Sequence, residues 1–225
     1  MQLQANCAAV IPCFNEARTI NPIVSAVARQ VSRVIVVDDG STDRTAELAA
    51  SAGAIVIRGD RRRGKGAALK TGLGRASDDA CEWALTMDGD GQHSPDDLPA
   101  LFQYATSSGA PLVVGNRMGE AHKMPWLRRH VNRAMSTALS RLAKQSLPDS
   151  QCGLRLLRLD LWRSLQNESR HFEIESELLL SFARAGHAIR FVPIQVIYRS
   201  ERSKICPLRD TVRWFLWLRR ARRAV

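Results

Sequence analysis

Along the chain, short apolar runs alternate with longer stretches in which apolar residues recur every third or fourth position. Cys7–Ile11 is the first run, ended by Pro12. From Asn15 and Glu16 to about Val31, apolar residues at Ile20, Ile23, Val24 and Val27 keep to one helical face. Val34–Val37 is β-branched throughout, the pattern of a strand buried on both faces of a parallel sheet. A helix from about Thr42 to Ser51 is stopped by Gly53, and Ala54–Ile57 makes a third strand before a helix over Ala67 to about Arg75. Cys81–Thr86 is the fourth strand. A capping Ser94 with Pro95 and acids behind it then opens a helix to about Ser107, and Pro111–Gly115 is the fifth strand. The alternation implies right-handed crossovers and an α/β fold, a doubly wound, mostly parallel sheet flanked by helices.

Past Asn116 the pattern loosens. Lys123–Arg133 mixes basic residues with Trp126 and Leu127, ahead of a helical stretch to about Lys144. Asp149–Arg155 is a polar turn entering a short apolar segment, and Glu173, Glu175 and Glu177 open a helix to about Ala185. Ile189–Ile197 is strand-like with Pro193 interrupting it. Without internal repeats or low-complexity linkers, residues 1–209 read as one domain and 210–225 as a short basic C-terminal appendage.

In open α/β sheets ligands bind beyond the carboxyl ends of the strands. Every unusual polar cluster in the first half lies at such an end. Pro12–Glu16 follows the first strand, Asp38–Asp43 the second, the loop Gly59–Gly66 the third, and Met87–His93 the fourth. In the last, Asp88 and Asp90 flank Gly89, and hard cations such as Mg²⁺ or Mn²⁺ take one or two carboxylates plus the phosphates of a substrate. The Gly-rich basic loop entering a helix suits a phosphate through its backbone N–H groups and the helix dipole.

Two sharper templates fail, and a third, the nucleotidyltransferase, is kept only as the rival reading. A P-loop needs Ser or Thr after Gly64-Lys65, and Gly66 stands there. A calcium loop starting at Asp88 needs Gly and Glu where His93 and Pro99 stand. A nucleotidyltransferase of similar fold would carry a Gly-rich loop after the first strand, and Pro12-Cys13-Phe14-Asn15 has no glycine. His93 reads either as a catalytic base or as a group that positions its neighbours.

Charge narrows the partner. The chain carries a net charge of +11, which points to an anionic partner. Nucleic acid is disfavoured, since few aromatics interleave with the arginines and no recognition motif is present. The excess is concentrated in Lys123–Arg133 and in the tail, where Trp214–Leu218 is followed by Arg219, Arg220, Arg222 and Arg223. An anionic membrane surface fits that distribution. The tail's apolar residues spread around the helical wheel, so bilayer anchoring and packing of Trp214 and Trp217 on the domain both stay open. No apolar run approaches the ~20 residues that cross a bilayer. The five scattered cysteines and the absence of a signal-peptide pattern lead us to expect a cytoplasmic, peripheral protein.

Four motifs, in this order and spacing, carry a family resemblance: Val10-Ile11-Pro12-Cys13-Phe14-Asn15-Glu16, Val36-Val37-Asp38-Asp39-Gly40-Ser41-Thr42-Asp43, Gly64-Lys65-Gly66 and Asp88-Gly89-Asp90-Gly91-Gln92-His93. Together they resemble family 2 glycosyltransferases of GT-A fold. Gln92-His93 and Gln151-Cys152-Gly153-Leu154-Arg155 look most like the polyprenol-phosphate (dolichyl-phosphate) mannosyl- and glucosyltransferases.

The resemblance implies an inverting transfer from a nucleotide-sugar donor, a UDP- or GDP-sugar, to a lipid-phosphate acceptor. It implies a donor-binding half over about 1–116, with Pro12, Asn15, Glu16, Asp38, Asp39, Gly64 and Lys65 against the nucleotide. Asp88, Asp90 and Gln92 would hold Mg²⁺ or Mn²⁺ on the pyrophosphate, with Asp88 and Asp90 central to catalysis. In the acceptor-side half, about 117–209, Arg117, Arg128, Asn132, Arg202 and Lys204 would face the acceptor phosphate. A phosphate acceptor is already anionic, whereas a neutral hydroxyl would need a base, for which Asp90 is nearest. The chain departs from the family at Gly89, often Ala, and at Gly91, often Leu, and it lacks the Gln-x-x-Arg-Trp signature of processive enzymes.

Overall fold

In the computed structural model, which describes residues 2–165, 168–197 and 207–223, most of the apolar runs become strands of one sheet. A short helix α1 (Gln2–Ala5) leads into β1 (Cys7–Cys13), α2 (Ile20–Val27), β2 (Arg33–Asp38), α3 (Thr45–Ser51), β3 (Ile55–Arg58), α4 (Lys65–Asp78) and β4 (Trp83–Thr86). A tight turn of helix at Pro95–Asp97 opens α5 (Leu98–Ser108), followed by β5 (Leu112–Asn116), α6 (Trp126–Ala143), β6 (Arg155–Arg158), α7 (Leu159–Ser164), α8 (Ile174–Arg184), β7 (Ile189–Pro193) and α9 (Pro207–Arg223).

The sheet order is β3-β2-β1-β4-β6-β5-β7. Each described pairing is parallel except those of β6, which runs antiparallel between β4 and β5. Helices cover both faces, so the central strands are apolar along their length, and Cys7 to Ile11 are wholly buried. The succession of strands reverses direction between β1 and β4. That is the topological switch point, where a crevice opens at the carboxyl ends.

Several boundaries differ from the sequence reading for physical reasons. Pro12 does not end β1, which continues to Cys13 with Pro12 opposite Val37 of β2. The β4 ladder reaches only Val10, so at Pro12 the strand has one neighbour and a missing N–H is tolerated. The helix expected from Asn15 begins only at Ile20. Asn15 lies in the left-handed region (φ 55°), and the amides of Asn15 and Glu16 donate to Ser41 Oγ (2.9 Å) and Thr45 Oγ1 (2.8 Å). These bonds pin the β1 loop to the β2 loop instead of starting a helix.

The basic C-terminal stretch is one helix, and it packs on the domain. Trp214, Leu218 and Ala221 are buried, Trp214 Nε1 donates to Ser176 Oγ of α8 (2.8 Å), and Arg184 of α8 donates to the Ala221 carbonyl (2.5 Å). Among the described residues, no helix is long and apolar enough to cross a membrane.

Candidate active site

The rim at the switch point gathers side chains from distant parts of the chain. Asp88 follows β4, and Lys65 is the first residue of α4. Lys65 Nζ lies 2.5 Å from Asp88 Oδ1 and 2.6 Å from Glu175 Oε1, from the first turn of α8. One ammonium is thus held between two carboxylates in a mostly buried setting. Burial alone would lower the Lys65 pKa, but Asp88 and Glu175 reverse this and hold the ammonium above its ordinary value. Burial likewise opposes ionisation of Asp88, yet Lys65 and then His93 bring its carboxyl well below the usual range. His93 is buried, its Nε2 3.7 Å from Asp88 Oδ2, so its surroundings fit a group that positions Asp88.

The antiparallel course of β6 explains how a later motif reaches the same rim. Arg155 of β6 is in register with Thr86 of β4, so the residues just before β6 lie where β4 ends. Thr86 Oγ1 donates to the Gly153 carbonyl (2.8 Å). A Cβ on Gly153 would stand 2.4 Å from Asp88 Oδ2, which is why only glycine fits beneath that carboxylate. Arg155 is buried and donates to three backbone carbonyls: Cys152 (2.8 Å), Glu175 (2.6 Å) and Ser150 (3.0 Å). It ties the Ser150–Cys152 loop to the start of α8.

Asp90 has the opposite electrostatics from Asp88. Burial and then the neighbouring Asp88 charge raise its carboxyl pKa, and one oxygen accepts from the Gln92 amide (3.0 Å). A carboxylate so disfavoured in its charged form is one that a cation would relieve. The donor set here is hard oxygen, from Asp88 and Asp90, with the Gln92 side chain at the same turn, and it fits Mg²⁺ or Mn²⁺. Among the described residues no cluster of three or more His, Cys, Asp or Glu side chains could hold a metal ion.

The expected nucleotide-side residues surround this rim in different states. Asp39 accepts from the amides of Arg63 and Gly64, both at 2.7 Å. Ala67 N donates to the Arg170 carbonyl (3.1 Å). These amides of the basic loop are turned to the protein's own oxygens, rather than presented to a phosphate as the loop composition suggested. Asp38 is fully buried, with Oδ1 accepting from Ser41 N (2.8 Å) and Oδ2 standing 3.7 Å from Arg58 Nε. Asn15 Oδ1 accepts from Thr42 N (2.9 Å), so Asn15 and Asp38 shape the loops at this end of the sheet.

Of the acceptor-side residues, Arg117 follows β5 and holds buried Asp149 in a bidentate pair, through Nε (2.8 Å) and Nη2 (2.9 Å), with its own amide on the same carboxylate. Arg128 and Asn132 lie on the first two turns of α6, partly exposed, next to exposed Trp126 and Leu127. Arg202 and Lys204 lie outside the described residues. Glu175 and Asp149 were missed as site residues in the sequence. A glutamate in a helix's first turn reads as ordinary dipole compensation, and only the long-range contact with Lys65 singles it out.

Gly89 has its own local reason. A Cβ there would come 2.6 Å from Cys13 Sγ, while Thr19 Oγ1 donates to the Gly89 carbonyl at 2.6 Å and fixes the turn. Gly89→Ala is expected to cost about 1–3 kcal/mol by overpacking. Adding Cys13→Ala should recover most of that, giving a coupling of about 1–2 kcal/mol in a double-mutant cycle by urea denaturation. Strictly additive effects would refute the assignment.

With this geometry in view, the chain's relatives can be placed. The chain belongs to glycosyl transferase family 2, whose profile matches residues 8–165, and it is a glycosyltransferase of GT-A fold. It is similar to the UDP-N-acetylglucosamine–dolichyl-phosphate N-acetylglucosaminyltransferase of Methanococcus voltae, 29% identical over 212 residues and spanning 84% of each chain. It is also similar to the undecaprenyl-phosphate mannosyltransferase of Micrococcus luteus, 29% identical over 203 residues, 84% of this chain and 83% of the other. Among solved structures, UDP-bound glucosyl-3-phosphoglycerate synthase from Mycobacterium tuberculosis superposes with a TM-score of 0.75 at 25% identity, covering 96% of this chain and 78% of that one.

Proposed function

We propose that this protein transfers a sugar, with inversion, from a nucleotide-sugar donor to a polyprenyl phosphate, assisted by Mg²⁺ or Mn²⁺. The observation that carries this reading is the convergence of Asp88, Asp90, Lys65 and Glu175 at the switch point between β1 and β4. Similarity to a dolichyl-phosphate N-acetylglucosaminyltransferase and to an undecaprenyl-phosphate mannosyltransferase supports the acceptor class. The structural neighbour, crystallised with Mn²⁺ and UDP, accords with the donor and metal.

In this mechanism Asp88, Asp90 and Gln92 are the residues that would hold the metal beside the donor. When bound, the metal supplies Lewis-acid stabilisation of charge on the leaving nucleoside diphosphate. Lys65 adds a fixed positive charge beside it, held in place by Glu175. Pro12, Glu16 and Asp39 line the nucleotide side, with Asn15, Asp38 and Gly64 shaping the loops that carry them. Arg117, oriented by Asp149, joins Arg128 and Asn132 to direct the acceptor phosphate, with Arg202 and Lys204 proposed for the same task. An anionic acceptor oxygen needs no proton removed before it attacks, so no strong general base is required. Lipid acceptors place the enzyme at an anionic membrane surface, and we place it on the cytoplasmic face.

A thermal-shift panel of UDP-, GDP- and other nucleotide sugars, with and without Mn²⁺, tests the reading. The cognate donor at about 100 times its Kd should add about 2.7 kcal/mol, seen as a rise in Tm of about 5–10 °C that requires the metal. No stabilisation by any nucleotide sugar, or the same shift without metal, would overturn the donor and metal assignment. A radiolabelled transfer assay with polyprenyl phosphate against the free alcohol then decides the acceptor.

A further inference from the structure

The spread of apolar residues around α9, ambiguous in sequence, resolves into two faces. Asp210, Trp214, Leu218 and Ala221, spaced at one helical stripe, are buried against the domain. On the other side Val212, Phe215 and Leu216 are 56%, 55% and 49% exposed, and Arg219, Arg220, Arg222 and Arg223 continue that outer surface. Domain packing satisfies the inner face and leaves the outer one without a partner among the described residues. A large aromatic and two branched aliphatic side chains standing together in water are an anomaly for a solvated helix.

We infer that the outer face of α9 docks on an anionic bilayer, with Val212, Phe215 and Leu216 entering the headgroup boundary and the four arginines meeting lipid phosphates. Both halves of the stripe match that occupant: apolar side chains for the acyl boundary, guanidinium groups for the anionic surface. A second copy of the chain matches it poorly. Each copy carries a net charge of +11, and the one acid of α9, Asp210, is buried, so the helix presents no carboxylate to a partner's arginines.

The inner face makes this attachment rigid with respect to the active site. Trp214 Nε1 bonds Ser176 Oγ, which also accepts from Gln151 Nε2 (3.0 Å), and Ser176 adjoins Glu175, the partner of Lys65. The same helix thus presents one side to lipid and fixes the other next to the Lys65–Asp88 pair. The purpose of this arrangement rests on the lipid-acceptor reading. Its test does not.

The full chain is sedimented with vesicles of phosphatidylcholine alone and of phosphatidylcholine with phosphatidylglycerol, neither containing polyprenyl phosphate or donor. Binding to the anionic vesicles is expected, at least about tenfold tighter than to neutral ones, and it should fall as salt rises. Phe215→Ser with Leu216→Ser should weaken it at least about tenfold, and Arg219→Gln with Arg220→Gln about 25-fold, roughly fivefold per arginine. Because these side chains lie away from the active site, both variants should stay folded and keep the wild-type donor-induced shift. Absent binding to anionic vesicles, or undiminished binding by both variants, overturns the inference and leaves the transferase reading untouched. A dimer in light scattering that Phe215→Ser with Leu216→Ser dissolves would assign the face to a second copy and equally overturn it. Vesicle binding in a protein that no nucleotide sugar stabilises would do the reverse, sinking the proposed function and sparing the docking face.

Discussion

Asp90→Asn is expected to reduce sugar transfer by about two to three orders of magnitude while leaving the fold intact. The side chain is nearly isosteric, and the bond it accepts from the Gln92 amide can be kept by the amide oxygen. What is lost is a charge. Asp90 is a carboxylate whose ionised form the protein disfavours, since burial and then Asp88 both work against it. It is therefore a position that a divalent ion would relieve, and removal of a group stabilising developing charge typically costs ~10²–10³ in rate. The protein without ligands should be unchanged or slightly more stable, because a repulsion has been removed. The metal-dependent part of the donor-induced thermal shift should disappear. Asp88→Asn should behave differently, for it also strips Lys65 of one of its two carboxylates and should lower Tm even without ligands. Calorimetric titration with Mn²⁺ and UDP separates the two variants. Wild-type metal affinity in Asp90→Asn would remove Asp90 from the metal site.

The second large effect concerns stability. Arg155→Met should destabilise the protein by at least about 2 kcal/mol, because the buried carbonyls of Ser150 and Cys152 lose this donor at about 1–3 kcal/mol each and that of Glu175 is left with its helical bond alone. For a chain of this length that is a fall in Tm of at least about 4 °C. Arg155→Lys should not rescue it, since an ammonium on a flexible stem cannot span three carbonyls placed around a planar fork. The loss should be accompanied by weaker donor binding, as the Ser150–Gly153 segment and α8 carry Gly153 and Glu175 to the rim. A change below about 1 kcal/mol by urea denaturation would show that the clamp is not a support of the fold.

Much of this architecture was legible in the sequence, in a graded way. The β-branched run Val34–Val37, the apolar strands ahead of Asp88 and Asn116 and the polar loops behind each strand fixed the sheet's parallel half and its functional rim, because burial on two faces leaves a strong pattern. β6 left a weak one. Arg155–Arg158 has only two apolar residues, Leu156 and Leu157, and nothing local says that it runs antiparallel between β4 and β5. The motif containing Gly153 and Arg155 was visible, yet its placement under Asp88 follows from that register alone. Lys65 was legible as a charged loop residue, but its second partner, Glu175, is 110 residues away and carries no spacing signal. The tail failed in a different manner. A helix with two apolar faces has no clear period, and only burial separated Trp214, Leu218 and Ala221 from Val212, Phe215 and Leu216.

The insertion of β6 between β4 and β5 also constrains how the chain can be made. β5 leaves the ribosome about forty residues before the strand that separates it from β4, so for that interval it has no neighbour in its final sheet position. Its own outer neighbour, β7, comes later still. A nascent chain ending anywhere from β5 to the start of β6 therefore carries an apolar edge that can pair wrongly, and no Glu175 to balance Lys65. Stalled or truncated products should be prone to aggregation, and the Lys65–Glu175 pair at the rim can form only once α8 has emerged.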